Sequence, residues 1–290
     1  MKLNLSVHHR QSHFQRFFND VLPSCTVRLL MLLLVLFPAV APAYPCAETF
    51  SDDLTGFSRD FGRIFSAPAH FDGDDWLVIT AVAGAATASA FFLDEPARDY
   101  AQSHHTPFLD SAMPLGDTYG RLPTGYGIGS IIYLGGLLAG AEDVRLTGRA
   151  VIEAHTFAMM ITGVLKATVG RSRPFRNEGN SVFSLFSFEN ANWSFPSGHA
   201  ASSFAISSAL SSRIHRPWAS AGLYALSTFT CMQRVYDDKH WLSDTIVGAA
   251  IGTAVGLAVG HLINKEENER NQGGAVLEEP FPLASFTIRF

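Results

Sequence analysis

The stretch that decides the fold is Arg234–Ile263, which reads RVYDDKHWLSDTIVGAAIGTAVGLAVGHLI. Its second part is rich in Ala, Val, Ile and Gly, and a long run of this kind favours a buried helix over a strand. Glycines at 248, 252, 256 and 260 recur every four residues, so they share one helix face that another backbone can approach closely. Such a stripe is typical of membrane helices and also of tightly packed soluble helices, and by itself it leaves both open.

Outward from this helix, the sequence contains five more apolar segments bounded by Asp, Pro and Arg clusters. They lie at about 76–93, 126–139, 151–169, 200–210 and 218–232. With 242–263 they predict an all-α protein whose main domain, residues 76–263, is a six-helix bundle. A hydrophobic content of 47% in 290 residues supports one large core rather than several small ones.

The two ends of the chain differ from this domain. Residues 1–43 combine scattered basic residues, the apolar run Leu29–Phe37 and Ala41-Pro42-Ala43, which predicts an export signal, either cleaved or kept as an anchor. Residues 44–75 form a polar lead-in, and 264–290 a polar linker and tail. The tail ends in Phe286–Phe290, which alternates apolar and polar residues as a short strand does, and we expect it to pack on the body.

The first cluster of chemically useful residues closes the third apolar segment. Lys166 supplies a compact positive charge, and Arg173 supplies a planar fork that can bind two phosphate oxygens. Pro174 stops the helix and fixes where Arg173 leaves it. Taken alone, these residues could equally be solvated cations at a helix C-terminus.

The second cluster, Phe195–His199, opens the fourth segment. Ser197 can cap the helix and Gly198 lets the backbone come close to a ligand, so exposed N–H groups at the positive helix end could bind phosphate. His199 then lies in the first turn, where it could protonate a leaving oxygen. An ordinary helix start with an incidental histidine would look the same.

The third cluster is Arg234–Asp244. If the last helix begins near His240, Asp244 lies one turn on and on the same face. The carboxylate can then hold one imidazole nitrogen while the other faces a substrate, which is how an activated nucleophile is oriented. A lone His and Asp at this spacing is also common on a solvated helix surface.

The joint spacing of the three clusters is far more specific than any one of them. Lys, six residues, Arg-Pro, then Pro-Ser-Gly-His, then Arg, five residues, His, three residues, Asp resembles the signature of the type 2 phosphatidic acid phosphatase superfamily. That superfamily also includes vanadium haloperoxidases and bacterial class A acid phosphatases. The resemblance covers about residues 76–263 and implies the same six-helix core.

The resemblance also implies a role for each matched residue. His240 would attack phosphorus and form a phosphohistidine, Asp244 would support it, and His199 would protonate the leaving oxygen and later activate water. The phosphate oxygens would be held by Lys166, Arg173, Arg234, Ser197 and Gly198. No metal or other cofactor is expected. One departure is Gln233, where the family usually has serine.

Three functions remain open on these residues. The first is a hydrolase of phosphoric monoesters or pyrophosphates, acting on a lipid phosphate or a small phosphoester. The second is a haloperoxidase that would need vanadate as its cofactor, and the third is a non-catalytic protein that binds a phosphate ligand. A formal net charge of −5 offers no basic face for nucleic acid, and no Cys/His spacing indicates a metal site.

The predicted location is the cell envelope, in the periplasm or in the membrane. We expect membrane association, but segments 126–139 and 200–210 are shorter than the roughly 17–25 residues of a spanning helix. Insertion is therefore open at this point. Substrate selectivity is expected in the stretches 94–123 and 177–194, which could form part of the pocket mouth.

Overall fold

The structure is a computed structural model of the chain and describes residues 46–272. The export signal predicted over 1–43 and the strand predicted over 286–290 lie outside the described residues. Within 46–272 the fold is all-α, as predicted, and contains no β-strand. An isolated bridge joins Arg171 to Phe183 in this part of the chain.

Nine α-helices follow one another along the described chain. They are α1 (Cys46–Ser66), α2 (Gly73–Phe92), α3 (Asp94–Ser103), α4 (Pro107–Gly120), α5 (Leu122–Ala139), α6 (Glu142–Val169), α7 (Gly198–Ile214), α8 (Pro217–Tyr236) and α9 (Leu242–Gln272). Short 3-10 turns lie at Ala67–His70, Pro174–Arg176 and Asn190–Asn192.

Each of the six predicted apolar segments corresponds to one helix, namely α2, α5, α6, α7, α8 and α9. The predicted count of six is wrong for the described part of the chain, because α1, α3 and α4 are helical as well. These three helices were not predicted because helices were inferred only from long apolar segments. α1 and α3 are rich in polar residues, and α4 is interrupted by Pro114.

The core lies where α6, α7 and α9 pack together. Leu146 and Phe157 of α6, Ile206 of α7, and Val259 and Ile263 of α9 are all 0% exposed and form one cluster. Burying a side chain of this size stabilises the fold by roughly 1.5–3 kcal/mol. Four of the eight predicted site residues, Lys166, Gly198, His199 and Asp244, lie on these three helices, so the core fixes their positions.

The glycine stripe of α9 packs against α7. A Cβ added at Gly248 would overlap the carbonyl oxygen of Ser197, and one at Gly252 would overlap that of Ala201. A Cβ added at Gly256 would lie 2.6 Å from the carbonyl oxygen of Ala205, which is also too close. The stripe therefore lets two helix backbones touch, and this contact sets the start of α7 against the start of α9.

A buried ion network holds α1 on the bundle at the end remote from Lys166. Arg149 of α6 is 4% exposed and pairs with Asp60 of α1 at 2.9 Å, with Glu153 at 2.6 Å and with Glu266 of α9 at 3.1 Å. Arg149 and Lys166 are separated by about 25 Å along the helix, at roughly 1.5 Å per residue. The predicted lead-in is thus a helix joined to the main domain.

Local sequence fixes the helix ends near the site. Ser197 caps α7, with its hydroxyl oxygen accepting from the Ala200 N–H at 3.4 Å. Gly170 ends α6 in the left-handed region at φ 60°, and a Cβ there would collide with the carbonyl of Ser184. The chain can therefore turn sharply after Lys166 and bring Arg171 and Arg173 back over the bundle.

Four of the described helices, α2, α5, α6 and α9, are long and apolar enough to cross a bilayer, by length and composition. α2 and α5 are the least enclosed of the four, since only 17% of the apolar window of each is buried in the bundle. Trp76, Leu77, Val78, Phe91 and Phe92 of α2 are all exposed. Apolar surface of this extent is unusual for a helix that faces water.

Candidate active site

Three chain segments meet at one end of the bundle: the end of α6, the start of α7, and the junction of α8 with α9. They bring the three predicted clusters together in space. An ideal Cβ on Gly198 would lie 3.5 Å from Cε of Lys166, so the start of α7 touches the end of α6. The N–H of Ser197 donates to the carbonyl of Asp244 at 2.9 Å, which joins α7 to α9.

His240 lies at the centre of this junction and is 3% exposed. Its Nδ1 faces Oδ2 of Asp244 at 3.7 Å, beyond hydrogen-bond length, and Nδ1 has no hydrogen-bond partner among the described residues. Burial lowers the pKa of His240 well below its ordinary value, and the positive charges of Lys166 and Arg173 lower it further against the opposing carboxylate of Asp244. A neutral imidazole with Nδ1 turned to the carboxylate presents its other nitrogen, Nε2, to a ligand.

Asp244 is held rigidly by groups other than His240. Its Oδ1 accepts from Nη1 of Arg171 at 2.6 Å, while Oδ2 accepts from Ser194 Oγ at 2.5 Å and from the Trp241 N–H at 2.9 Å. Arg171 in turn donates to Asp94 at 2.8 Å. The carboxylate is therefore fixed beside the imidazole before any ligand arrives.

Arg171, Ser194 and Asp94 are functional-site residues that the sequence motifs did not reveal. Arg171 lies two residues before Arg173, inside the first cluster, and looked like one more cation at a helix end. Asp94 opens α3, and both Asp94 and Asp244 have fully buried side chains. A carboxylate directly after the apolar segment 76–93 was the available signal, but nothing local shows that it is buried.

Lys166, Arg173 and Arg234 supply buried positive charge beside His240. Nζ of Lys166 donates to the Trp193 carbonyl at 2.6 Å. Nε of Arg173 and Nε of Arg234 are buried and have no hydrogen-bond partner among the described residues. Since a buried cationic donor without a partner is costly, these two groups mark a place that an anion fits.

Ser197 and Gly198 contribute differently from each other. Ser197 is fully buried, its hydroxyl caps α7, and its N–H is already engaged by Asp244. The Ser197 N–H therefore cannot serve a phosphate in this arrangement. By helix geometry the N–H groups of Gly198 and His199 in the first turn of α7 have no partner within the helix, so they are the backbone donors that remain.

His199 is 30% exposed at its side chain and contacts a residue that the motifs did not include, Asp117 of α4. Its Nε2 lies 3.3 Å from Oδ1 of Asp117, and the same oxygen pairs with Nη1 of Arg234. Burial lowers the pKa of His199, and the contact with Asp117 opposes that shift. The contact with His199, helped by the charge of Arg234, holds the pKa of Asp117 well below its usual range.

Gly120 lets α4 reach this position. A Cβ there would lie 2.8 Å from Cβ of His199 and 2.7 Å from Cγ2 of Thr230, too close for any real contact. The end of α4 thus lies directly over the first turn of α7. This agrees with the expectation that 94–123 contributes to the site, although the selectivity of that stretch stays a prediction.

Gln233, the departure from the family pattern, is buried and 1% exposed. Its Nε2 donates to Asp237 at 2.5 Å and its Oε1 is buried without a partner among the described residues. Asp238, which follows α8, has φ 57° and pairs with Arg98 of α3 at 2.6 Å. Asp238 is thus paired with Arg98, whereas Asp237 accepts from a neutral amide. Burial lowers the pKa of Arg234, and the charges of Asp117 and Asp237 oppose that shift.

Within residues 46–272, no three His, Cys, Asp or Glu side chains converge in a way that would hold a metal ion. That catalysis proceeds without a metal or another cofactor stays a prediction. The groups that do converge are an imidazole beside a fixed carboxylate, a second histidine, and three cations.

The fold and the site together define a helical protein in which an imidazole, a fixed carboxylate, a second histidine and three cations meet at one end of the bundle. Residues 148–267, less than half of the chain, match the model of the PAP2 superfamily. The resemblance inferred from the three motifs is thereby confirmed, and the match contains every residue of those motifs.

Among curated relatives, lipid A 1-phosphatase of Porphyromonas gingivalis is 34% identical over 88 residues. The matched stretch covers 30% of this chain and spans only 17% of the length of that relative. Among solved structures, Aquifex aeolicus LpxE is 21% identical with a TM-score of 0.46, over 58% of this chain and 94% of that one. A transmembrane PAP2-type phosphatidylglycerolphosphate phosphatase of Bacillus subtilis is 20% identical with a TM-score of 0.49, over 67% of this chain and 94% of that one.

Proposed function

We propose that this protein is a membrane-bound phosphatase that hydrolyses a lipid phosphate through a phosphohistidine intermediate. The observation that carries the proposal is the buried His240 beside a carboxylate fixed by three donors, next to Arg173 and Arg234 with unpartnered buried N–H groups. A phosphate monoester supplies the negative oxygens that these donors lack. The curated relative named for lipid A 1-phosphate hydrolysis supports the same reaction class.

In the first step, Nε2 of His240 attacks phosphorus and the bond between phosphorus and the ester oxygen breaks. His199 gives its proton to the departing oxygen, so the product leaves as an alcohol. Asp244 stabilises the positive charge that develops on the imidazole ring. The 3.7 Å gap between Nδ1 and Oδ2 is expected to close as that charge forms, since catalytic contacts often tighten only in the complex.

In the second step, His199, now neutral, takes a proton from water, and the oxygen of that water attacks phosphorus. The bond between nitrogen and phosphorus breaks, which returns His240 and releases inorganic phosphate. Lys166, Arg173 and Arg234 hold the three equatorial oxygens in both steps, together with the backbone at the start of α7. Asp117 acts as a positioning residue, because it holds His199 in place and favours its protonated form.

Two features support a lipid as the substrate. Five large apolar side chains on the segment after Arg173 are exposed beside the site: Phe175, Phe183, Leu185, Phe186 and Phe188. Exposed aromatic residues of this kind are typical of protein surfaces at a membrane interface. In addition, the site lies where α6 ends and α9 begins, and both helices are long and apolar enough to cross a bilayer.

The membrane placement follows from these helices. We infer that α2, α5, α6 and α9 cross the bilayer and that the catalytic pocket opens near one of its surfaces. An exported, periplasm-facing site remains part of the proposal on the strength of the predicted signal over 1–43.

Phosphate release by the full-length protein in detergent tests the function. Lipid A 1-phosphate, phosphatidylglycerol phosphate and phosphatidic acid are the substrates to compare. His240→Ala is expected to lower phosphate release by several orders of magnitude, whereas His70→Ala, an exposed histidine remote from the site, should leave it unchanged. Unaltered release by His240→Ala would rule out the mechanism.

The intermediate has its own test. With a ³²P-labelled substrate that has a good leaving group, His199→Ala should accumulate acid-labile, base-stable label on the protein, because water activation is slowed more than attack. His199→Ala,His240→Ala should carry none. Halide oxidation that depends on vanadate, without phosphate release by the unsubstituted protein, would replace the proposal with a haloperoxidase.

A further inference from the structure

A cavity of about 1180 Å³ lies between α2 and α9, separate from the phosphate pocket. Its walls are largely apolar and include Val78, Val82 and Ala83 of α2 and Val247, Ala250 and Leu257 of α9. None of the three cations or two histidines of the catalytic pocket lines it. It is larger than the roughly 300–1,000 Å³ of common ligand pockets.

The direction of the two helices fixes how the cavity is oriented. Its lining runs on α2 from Asp75 to Phe91 and on α9 from Ser243 to Leu257. Ser243 donates to Asp94, just past the end of α2, so Phe91 and Ser243 lie at the catalytic end. Asp75 and Leu257 therefore lie at the opposite end, about 24 Å away along α2 at roughly 1.5 Å per residue.

Asp75 at the remote end is an unusual wall residue. It is 1% exposed, and its Oδ1 is buried with no hydrogen-bond partner among the described residues. Its other oxygen, Oδ2, accepts from the N–H of Asp72 at 3.2 Å and completes the capping box of α2. A buried carboxylate oxygen without a donor costs free energy, so this end of the cavity favours a cationic donor.

The length and the apolar walls of the cavity indicate what a molecule bound there must contain besides a cationic group. Both enclosing helices are long and apolar enough to span a bilayer, and about 24 Å of apolar lining is comparable with the hydrocarbon core of roughly 30 Å. A slot of this shape between two spanning helices fits an extended acyl chain. A cationic group must then lie at Asp75, with the chain running toward Ser243.

We propose that this cavity binds a bilayer lipid with an ammonium-bearing head, such as phosphatidylethanolamine, from the leaflet opposite the catalytic pocket. This lipid is not the substrate, because the substrate phosphate binds at the other end of α2. Its chain reaches Ser243 and Arg171, the residues that fix Asp94 and Asp244, and so packs behind the catalytic carboxylate. The proposal rests on the membrane placement of α2 and α9, but not on catalysis.

The test measures lipid retained by the full-length protein. Protein is equilibrated with detergent micelles holding equal amounts of palmitoyl-oleoyl phosphatidylethanolamine and phosphatidylglycerol, then exchanged into lipid-free detergent and analysed by native mass spectrometry. We expect phosphatidylethanolamine to be retained about tenfold over phosphatidylglycerol, a difference of about 1.4 kcal/mol.

Three variants distinguish recognition of the lipid headgroup from binding of the acyl chain. Asp75→Asn keeps an acceptor for the Asp72 N–H but removes the charge, and it should bring the ratio near one while lipid is still bound. Ala83→Trp fills the cavity and should lower retention of both lipids about tenfold or more. Ala85→Trp, also at an exposed alanine of α2 but outside the cavity, should match the unsubstituted protein.

Three results would overturn the proposal: equal retention of both lipids by the unsubstituted protein, an unchanged ratio in Asp75→Asn, or full retention in Ala83→Trp. Circular dichroism and the thermal midpoint of each variant verify that it is folded. Repeating the measurement on His240→Ala keeps the result independent of the phosphatase proposal, because lipid retention requires no hydrolysis.

Discussion

Replacing Asp117 by Asn removes the negative charge beside His199 while keeping the shape of the side chain at position 117. The carboxylate lies 3.3 Å from Nε2 of His199, and the two side chains are 19% and 30% exposed. A charge-assisted contact contributes roughly 1.5–3 kcal/mol when buried. Because solvent screens this pair in part, we take a value just below this range, about 1.4 kcal/mol, which is about tenfold in rate.

The sign of the effect follows from which form of His199 is needed. Asp117 raises the pKa of His199 against the lowering by burial, so Asp117→Asn lowers that pKa further. Donation requires protonated His199, and the alkaline limb of the rate profile should therefore move to lower pH. At neutral pH we expect kcat for a lipid phosphate to fall about tenfold.

The assay compares two leaving groups on the same variant. An alkyl or lipid phosphate needs a proton on its departing oxygen, whereas p-nitrophenyl phosphate departs almost unaided. Asp117→Asn should therefore slow the first step about tenfold for the lipid phosphate and by less than about twofold for p-nitrophenyl phosphate.

Asp110→Asn, on the same helix and exposed, is the matched control. Equal slowing for both leaving groups, with an unmoved alkaline limb, would refute the role given to Asp117. In that case Asp117 would act only through its pairing with Arg234.

Three further predictions follow from other contacts. Arg171→Lys should lower kcat about 10- to 100-fold with little change in KM, because one ammonium cannot hold Asp244 and Asp94 together. Steady-state kinetics of phosphate release, with kcat and KM determined separately, check this. Gly252→Val should destabilise the protein by about 1–3 kcal/mol, since a side chain there overlaps the α7 backbone, and detergent-solubilised thermal unfolding measures it. The acid limb of kcat/KM should lie below pH 6.5, because the lowered pKa keeps His240 neutral and nucleophilic there; a limb above 6.5 would contradict its burial.

The positions that carry chemistry could be predicted from sequence because they lie at helix ends with fixed spacing. Lys166 and Arg173 flank the end of α6, and His240 and Asp244 bracket the start of α9. Each of these pairs is local, so helix periodicity and a helix-stopping residue suffice to place both members. The roles of these residues remain predictions, but the structure does bring them to one point.

What the sequence did not predict is long-range. Asp94 and Asp117 reach the site from α3 and α4. Asp94 contacts Ser243, which lies 149 residues later in the chain, and Asp117 contacts Arg234, which lies 117 residues later. Neither residue shows by its neighbours that it will be enclosed. Only packing decides whether a carboxylate at the start or end of a short helix is solvated or buried against an arginine.

The contacts at Gln233 show the same contrast between local and long-range information. Judged by the local motif, Gln233 replaces a serine and a phosphate contact is lost. In the structure the Gln233 amide donates to Asp237, and the adjacent Arg234 pairs with Asp117. The position of Arg234 is thus set by a residue on α4 rather than by its neighbour in sequence. In this chain the short motifs contain the candidate reacting groups, while α3 and α4, outside the motifs, supply the two carboxylates that contact Arg171 and Arg234.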